Sequence, residues 1–374
     1  MHPRGARGGL PLALLRTSAA LLLLFGCVEA ELVGERDGGT PDAGMRDQGP
    51  VDAAGMCLSG PAPPDGVSAD GTCVLARPPT EPIGCEDPAD SLEPIVVALR
   101  DPIFGDRMTG YDLDGYCSGA EGEPTGCTPN EDFKAPDPMG GIDNVFGVAL
   151  WEGILIIDSS IGARAAAALE AGDLNIMVRI EGWSGEPRDP RVEVTVAVAA
   201  ATMPSPPAWD GSDVFQPAES FFEEGDPDRP IAFDDNAYVA DGILVAQLPD
   251  RIPLGFDTGD RQLELKLTQP RLTMSLLGAN AYTDAVLTGR WSQSEARAAA
   301  PLLGLCMGST DPVIQAQRNA YMSAIDRFAD IRESSSDTNP ALPCDALSFA
   351  IGLRAFDVTW GAPTPLVSSP SLCD

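Results

Sequence analysis

From about residue 92 onward, apolar and polar residues alternate in short runs, the period of strands with one buried face. Leu174, Ile176, Val178 and Ile180 alternate with Asn175, Met177, Arg179 and Glu181. Val192, Val194, Val196 and Val198 alternate with Glu193, Thr195 and Ala197, and Gly182, Gly185 and Pro187 punctuate the turn between the two runs. The first set in each pair is expected to be buried and the second to face solvent. A meander follows over residues 231–233, 238–248, 252–256, 262–268, 271–277 and 285–291, with Pro270 dividing Leu263, Leu265 and Leu267 from Leu272, Met274 and Leu276. Residues 95–99 supply an earlier strand, and Leu347, Phe349, Ile351 and Leu353 a last one. Residues 202–229, rich in proline and acid, predict a long surface excursion. Short strands at this spacing predict a mainly β fold with minor α, an antiparallel β-sandwich or barrel-like domain.

Three stretches break the strand period. Residues 142–157 are densely apolar without alternation, which fits a buried strand or a helix and favours the helix, and the alanine-rich run 163–171 ends on Gly172, a helix stop. Asp311-Pro312 joins a capping side chain to a proline at the first helical position. Ile314, Tyr321, Ile325 and Phe328 then recur at helical spacing, so a helix near 311–332 is expected to dock on the sheet by this stripe.

The N-terminus is of another kind. Arg4 and Arg7 precede an apolar run from Leu10 to Phe25, the layout of an export signal and too short to finish as a membrane-spanning helix. Leu24-Phe25-Gly26-Cys27 resembles the lipobox of bacterial lipoproteins, although Phe25 is bulkier than the small residue usual there. The resemblance covers 27 residues; it implies cleavage before Cys27, lipidation of that cysteine and anchoring in the cell envelope, at the outer membrane or cell surface. Cysteine arithmetic agrees, since setting Cys27 aside leaves an even set: Cys57, Cys73, Cys85, Cys117, Cys127, Cys306, Cys344 and Cys373. In an exported chain such a set reads as a disulfide framework. Proximity along the chain suggests staples at Cys57–Cys73 and Cys117–Cys127, with Cys306 and Cys344 tying the helix ends to the sheet and Cys373 reaching Cys85. The expected partition is a signal peptide at 1–26, a lipidated, flexible tether at 27–56, a small cysteine-rich loop module at 57–91 and a β-rich domain at 92–374.

Composition then narrows the chemistry. The chain carries 24 Lys and Arg against 56 Asp and Glu, a formal charge of −32, which excludes nucleic acid as a partner. Its one histidine, His2, leaves with the signal peptide, and only Lys134 and Lys266 supply amines. Without histidine, no Ser-His-Asp triad, Cys-His dyad or His-ligated zinc or haem site can be built. Carboxylate chemistry and oxygen-ligand metal binding survive.

Asp112-Leu113-Asp114-Gly115 resembles the opening of an EF-hand-like loop, though Tyr116 departs from it, and Asp143-Asn144 could add oxygen ligands. Calcium is the metal this set would take; otherwise these residues shape turns. Glu219, Glu223, Glu224, Asp226, Asp234 and Asp235 form an acidic group better read as solvated surface. Trp183 and Trp209, in predicted loops, are candidates for stacking on a sugar. The expected function is that of a lipid-anchored, non-enzymatic envelope module for binding or structure, with glycans as the partner class and calcium as its only support. The alternative is a histidine-free glycan hydrolase working through two carboxylates.

Overall fold

The computed structural model describes residues 57–62, 64–68, 71–85, 92–117, 124–130, 141–257, 262–276, 283–337, 339–367 and 373. Cys27, the signal segment and the tether lie outside the described residues. A small hairpin, β1 (Gly66–Ser68) and β2 (Gly71–Cys73), precedes β3 (Ile95–Ile103). A π-helical turn, Phe146–Leu150, runs into α1 (Trp151–Ile157), followed by α2 (Ile161–Ala171). Then come β4 (Ile176–Glu181), β5 (Asp189–Met203), β6 (Val214–Pro217), β7 (Phe233–Ala240), β8 (Ile243–Gln247), β9 (Pro253–Asp257), β10 (Gln262–Ser275) and β11 (Thr283–Ser292). The chain ends with α3 (Gln293–Ala298), α4 (Pro312–Phe328), β12 (Ala346–Asp357) and β13 (Thr359–Trp360).

Eight antiparallel strands close on themselves in the order β3-β12-β11-β10-β8-β7-β5-β4, the β5–β7 and β3–β4 pairings completing the ring. Closure removes the exposed edges that an open sheet must otherwise protect. The alternating residues read from the sequence point inward: Ile176, Val178 and Ile180 from β4, Val192, Val194, Val196 and Val198 from β5, and Leu347, Phe349, Ile351 and Leu353 from β12 are buried in one core. Phe146 fills the interior against Phe349 (ring centroids 4.6 Å apart) and edge-on to Trp291 (6.5 Å). The helices behave as their sequences predict. Gly172 caps α2 at φ +89°, a conformation that costs a side-chain-bearing residue about 1–3 kcal/mol. The Asp311 carboxylate accepts the Val313 amide at the start of α4, whose Tyr321 and Ile325 are buried.

Four features differ from the sequence reading. Pro270 does not separate two strands; β10 is continuous and carries a bulge between Thr268 and Arg271, with Gln269 at φ +50°. The extra residue switches the inward parity, so Leu265 and Leu267 on one side and Leu272 and Met274 on the other all reach the same core. Residues 238–248 are two strands rather than one, folded at Asp241-Gly242 (φ +50° and +80°), a hairpin turn whose Asp-Gly signal lies hidden in an unbroken apolar run.

The excursion at 202–229 is partly interior. Strand β6 pairs with the far half of β5, and Phe215, Phe221 and Phe222 are buried. Isolated aromatics among prolines and acids leave no period to read. This segment covers the outside of the barrel, so Met177, expected to face solvent, packs with Ala98, Ala199, Phe215 and Val358 in a second cluster. Asn175 is buried too, its amide donating to the carbonyls of Leu99 and Leu169 at 3.0 Å.

The eight cysteines pair as Cys57–Cys85, Cys73–Cys117, Cys127–Cys344 and Cys306–Cys373. None of the pairings suggested by proximity along the chain forms. Topology decides them: β1 lies alongside the loop at Tyr116, with the Cys117 amide donating to the Val67 carbonyl, so Cys73 meets Cys117. Likewise, Thr128 exchanges backbone hydrogen bonds with Leu342 and Cys344, bringing Cys127 to Cys344.

Candidate metal centre and adjoining cleft

Strand β12 is twelve residues long, but β3 pairs with it only from Gly352 onward. Its first half would therefore leave amides bare on that side. Two side chains stand in for the missing strand. Asp330 Oδ1 accepts the Ser348 amide (2.8 Å), and Asn144 Oδ1 accepts the Ala350 amide (3.0 Å). Asn144 also accepts the Gly147 amide, and its Nδ2 donates to the carbonyls of Asp106 (3.1 Å) and Thr109 (3.0 Å). All four bonding positions of its amide are thereby used, so Asn144 acts as a cap on the strand edge and is not available as a metal ligand.

The loop that Asn144 clasps lies over the outside of β10 and β11. Tyr111 Oη shares a hydrogen bond with Thr273 Oγ1 (3.0 Å), and Arg290 Nη2 donates to the Leu113 carbonyl. This docking brings Asp112 and Asp114 to Asp143, whose Oδ2 accepts the amides of Leu113 (2.6 Å) and Asp114 (3.2 Å). One carboxylate oxygen from each of the three lies within 4.8 Å of the others. Oxygens on one calcium ion, each 2.3–2.6 Å from it, can stand up to about 5.2 Å apart, so this grouping admits calcium. The donor set is hard oxygen throughout, which suits calcium.

Arginines already share the site. Arg77 pairs with Asp112 Oδ2 (Nη2 at 3.0 Å), while Asp112 Oδ1 takes the Gly115 amide (2.8 Å). Arg290 is buried, and its charge is felt by Asp143, Asp114, Asp330 and Asp112. Burial pushes the Asp114 carboxyl up to about 6, with the charge of Asp112 adding to the shift and the Tyr116 amide and Arg290 opposing it. Burial raises Asp112 as well, against the Gly115 amide and Arg77. Asp330 is pushed up to about 7 by burial, despite its bonds from Ser348. Four carboxyls, two buried and two half-buried, around one buried guanidinium thus hold more negative charge than the arginines neutralise, a surplus that a proton or a cation can relieve.

Beside this cluster, where the bulge of β10 meets the end of β8, opens a cleft of about 450 Å³. Asp112 and Arg290 form part of its wall, with Gln247, Asp250, Gln269 and Arg271 presenting further polar groups. No aromatic side chain lines it among the described residues.

The structure brings together three of the four metal candidates and neither tryptophan. Trp183 is 8 % exposed and packs in the main core, its Nε1 donating to the Glu186 carbonyl (2.9 Å). Trp209 belongs to the outer cluster, packed on Phe215 and Phe356 under the Arg100 guanidinium, its Nε1 bonded to the Glu170 carbonyl. Both hold the fold together and stand away from the cleft. Of the surface acids, Glu219, Glu223, Glu224, Asp226 and Asp235 are exposed, Asp234 is half-buried, and Glu223 pairs with Arg229. Sequence reasoning passed over Arg77, Arg290, Asp330 and Arg271. The available signal was Arg290 itself, a charge beside Trp291 in an apolar strand of a chain poor in cations.

Fold and site define a closed eight-stranded antiparallel barrel bearing an arginine-centred acidic cluster on its outer wall. Compared with known proteins, the chain matches no family description, no curated protein and no solved structure.

Proposed function

We propose that this chain is a lipid-anchored, non-enzymatic binding module of the bacterial cell envelope, that its cleft takes a glycan, and that calcium held by Asp112, Asp114 and Asp143 stiffens the cleft wall. The observation that carries the binding role is the state of the two carboxylates lining the cleft. Asp112 accepts the Gly115 amide and pairs with Arg77, and Asp250 Oδ1 accepts the Gln269 amide at 2.6 Å. A glycoside hydrolase needs two carboxyls free to face the scissile bond. Here both serve the backbone, leaving amide and guanidinium groups to meet a ligand, the planar donors and acceptors that suit sugar hydroxyls. Export is supported by the disulfides, which use all eight cysteines other than Cys27.

The test is binding of purified full-length protein to envelope glycans, with mass spectrometry of residue 27. Retention of oligosaccharides without cleavage, together with an acylated Cys27, is the expected result. Turnover of the same sugars would favour the hydrolase, and an unmodified Cys27 would remove the anchor.

Calcium gives a separate expectation. At a hundredfold excess over its dissociation constant it should add about 2.7 kcal/mol, raising the melting temperature by roughly 5 °C relative to chelator. Asp114→Asn should abolish that rise. An unchanged midpoint in the parent protein would show that protons and arginines alone balance the cluster.

A further inference from the structure

We infer that the cleft selects an acidic glycan, one bearing a carboxylate or a phosphate, and that the Arg271 guanidinium grips that group. The inference rests on the glycan-cleft reading above and deepens it. The chain has 56 acidic residues, and nine of its described arginines pair with one, whereas none of those without an ion pair except Arg271 and Arg290 lines the cleft. Arg77, Arg100, Arg164, Arg179, Arg188, Arg229, Arg251, Arg297 and Arg332 each have one within ion-pair distance. Arg271 has none among the described residues, although it is only half-buried and lies in a concave wall. A guanidinium left unpaired in an acidic protein, inside a cleft of sugar size, is matched to an anion from outside.

Local structure aims it there. The bulge at Gln269 ends at Arg271, which sits opposite Gln247 of β8 and Thr288 of β11. Gln247 steadies it from one edge: its Oε1 accepts from Arg271 Nη2 at a long 3.4 Å, while its own Nε2 is held by the Pro270 carbonyl (2.8 Å). The remaining donors of the fork are left for bidentate binding. Arg290, the other arginine in the wall, cannot take this part, because its two terminal nitrogens serve the carbonyls of Arg332 and Leu113. Neither carboxylate in the wall forms an ion pair with Arg271: Asp112 pairs with Arg77, and Asp250 accepts the Gln269 amide.

The experiment is calorimetric titration of the full-length protein with three oligosaccharides of one backbone: neutral, terminated by a uronic acid, and phosphorylated. At least one acidic probe should bind tenfold or more tightly than the neutral one, and the preference should shrink as salt rises. Which acidic probe wins separates carboxylate from phosphate. Arg271→Gln should bring the acidic probes down to the affinity of the neutral one, and Arg271→Lys should keep part of the preference. Gln247→Ala, which frees the guanidinium from its buttress without touching charge, should weaken acidic binding less than Arg271→Gln does; melting curves confirm that each variant folds. Equal binding of all three probes, or a preference that survives Arg271→Gln, overturns the inference and leaves the glycan cleft standing. Binding of none of the three defeats both.

Discussion

Replacing Cys127 and Cys344 together by alanine is expected to destabilise the protein by about 5 kcal/mol, the largest loss any one of the four disulfides should give. The bond spans 217 residues of chain, so in the unfolded state it closes the longest loop. On the chain-entropy account, the restraint lost grows with the logarithm of that length, giving about 5 kcal/mol here against about 3.5 kcal/mol for Cys57–Cys85 with its separation of 28. A loss of that size is a large share of the 5–15 kcal/mol typical of a folded domain. The pair also has a local role, since Cys127 is fully buried and the adjoining Gly126 packs against Asp114. Denaturant titration of the two double variants measures both losses. If the Cys57/Cys85 variant lost more than the Cys127/Cys344 variant, the entropic ranking would be wrong.

Arg290→Met should cost about 3–5 kcal/mol, the range for removing one partner of a buried charge cluster. The methionine fills similar space, but the carbonyls of Leu113 and Arg332 lose their donor, and four aspartates lose their common cation. The pH dependence separates this cause from mere repacking. Asp330 and Asp114 titrate near 7 and 6 in the folded chain, against an ordinary carboxyl value of 3.8. Between about pH 4 and pH 7 the folded chain therefore binds more protons than the unfolded one, and stability falls as pH rises through that window. With chelator present, the parent should melt higher at pH 5 than at pH 8. Arg290→Met should show the steeper slope and recover part of its loss at pH 5, where Asp114 and Asp330 are mostly protonated. A loss equal at both pH values would mean that Arg290 acts by packing alone.

The parts of this protein that could be read from its residues are those whose cause is local. Alternation in Ile176–Ile180 and Leu347–Leu353 follows from the pleat, and each set reaches the core as read. Gly172 and Asp311-Pro312 end and begin helices through bonds to residues within one turn. Asp112 and Asp114 could be paired because two aspartates before a glycine turn are a local pattern.

What escaped reading was non-local. Neighbouring cysteines looked like partners, yet the pairing depends on which loops the barrel brings side by side. Asn144 looked like an oxygen ligand; only the shortfall of β3 against β12 makes it an edge cap. Trp209 sits in a segment with no period, and its burial comes from Phe215, Phe356 and Arg100, contributed by three separate strands.

Sequence alone therefore determined the mainly β character, the inward faces and the helix ends, because each depends on residue type and on spacing over a few positions. Tertiary structure alone decided that the sheet closes as a barrel, which cysteines meet, and that Arg290 stands among four aspartates. Those outcomes depend on distances between residues far apart in the chain, and such distances exist only once the strands have paired.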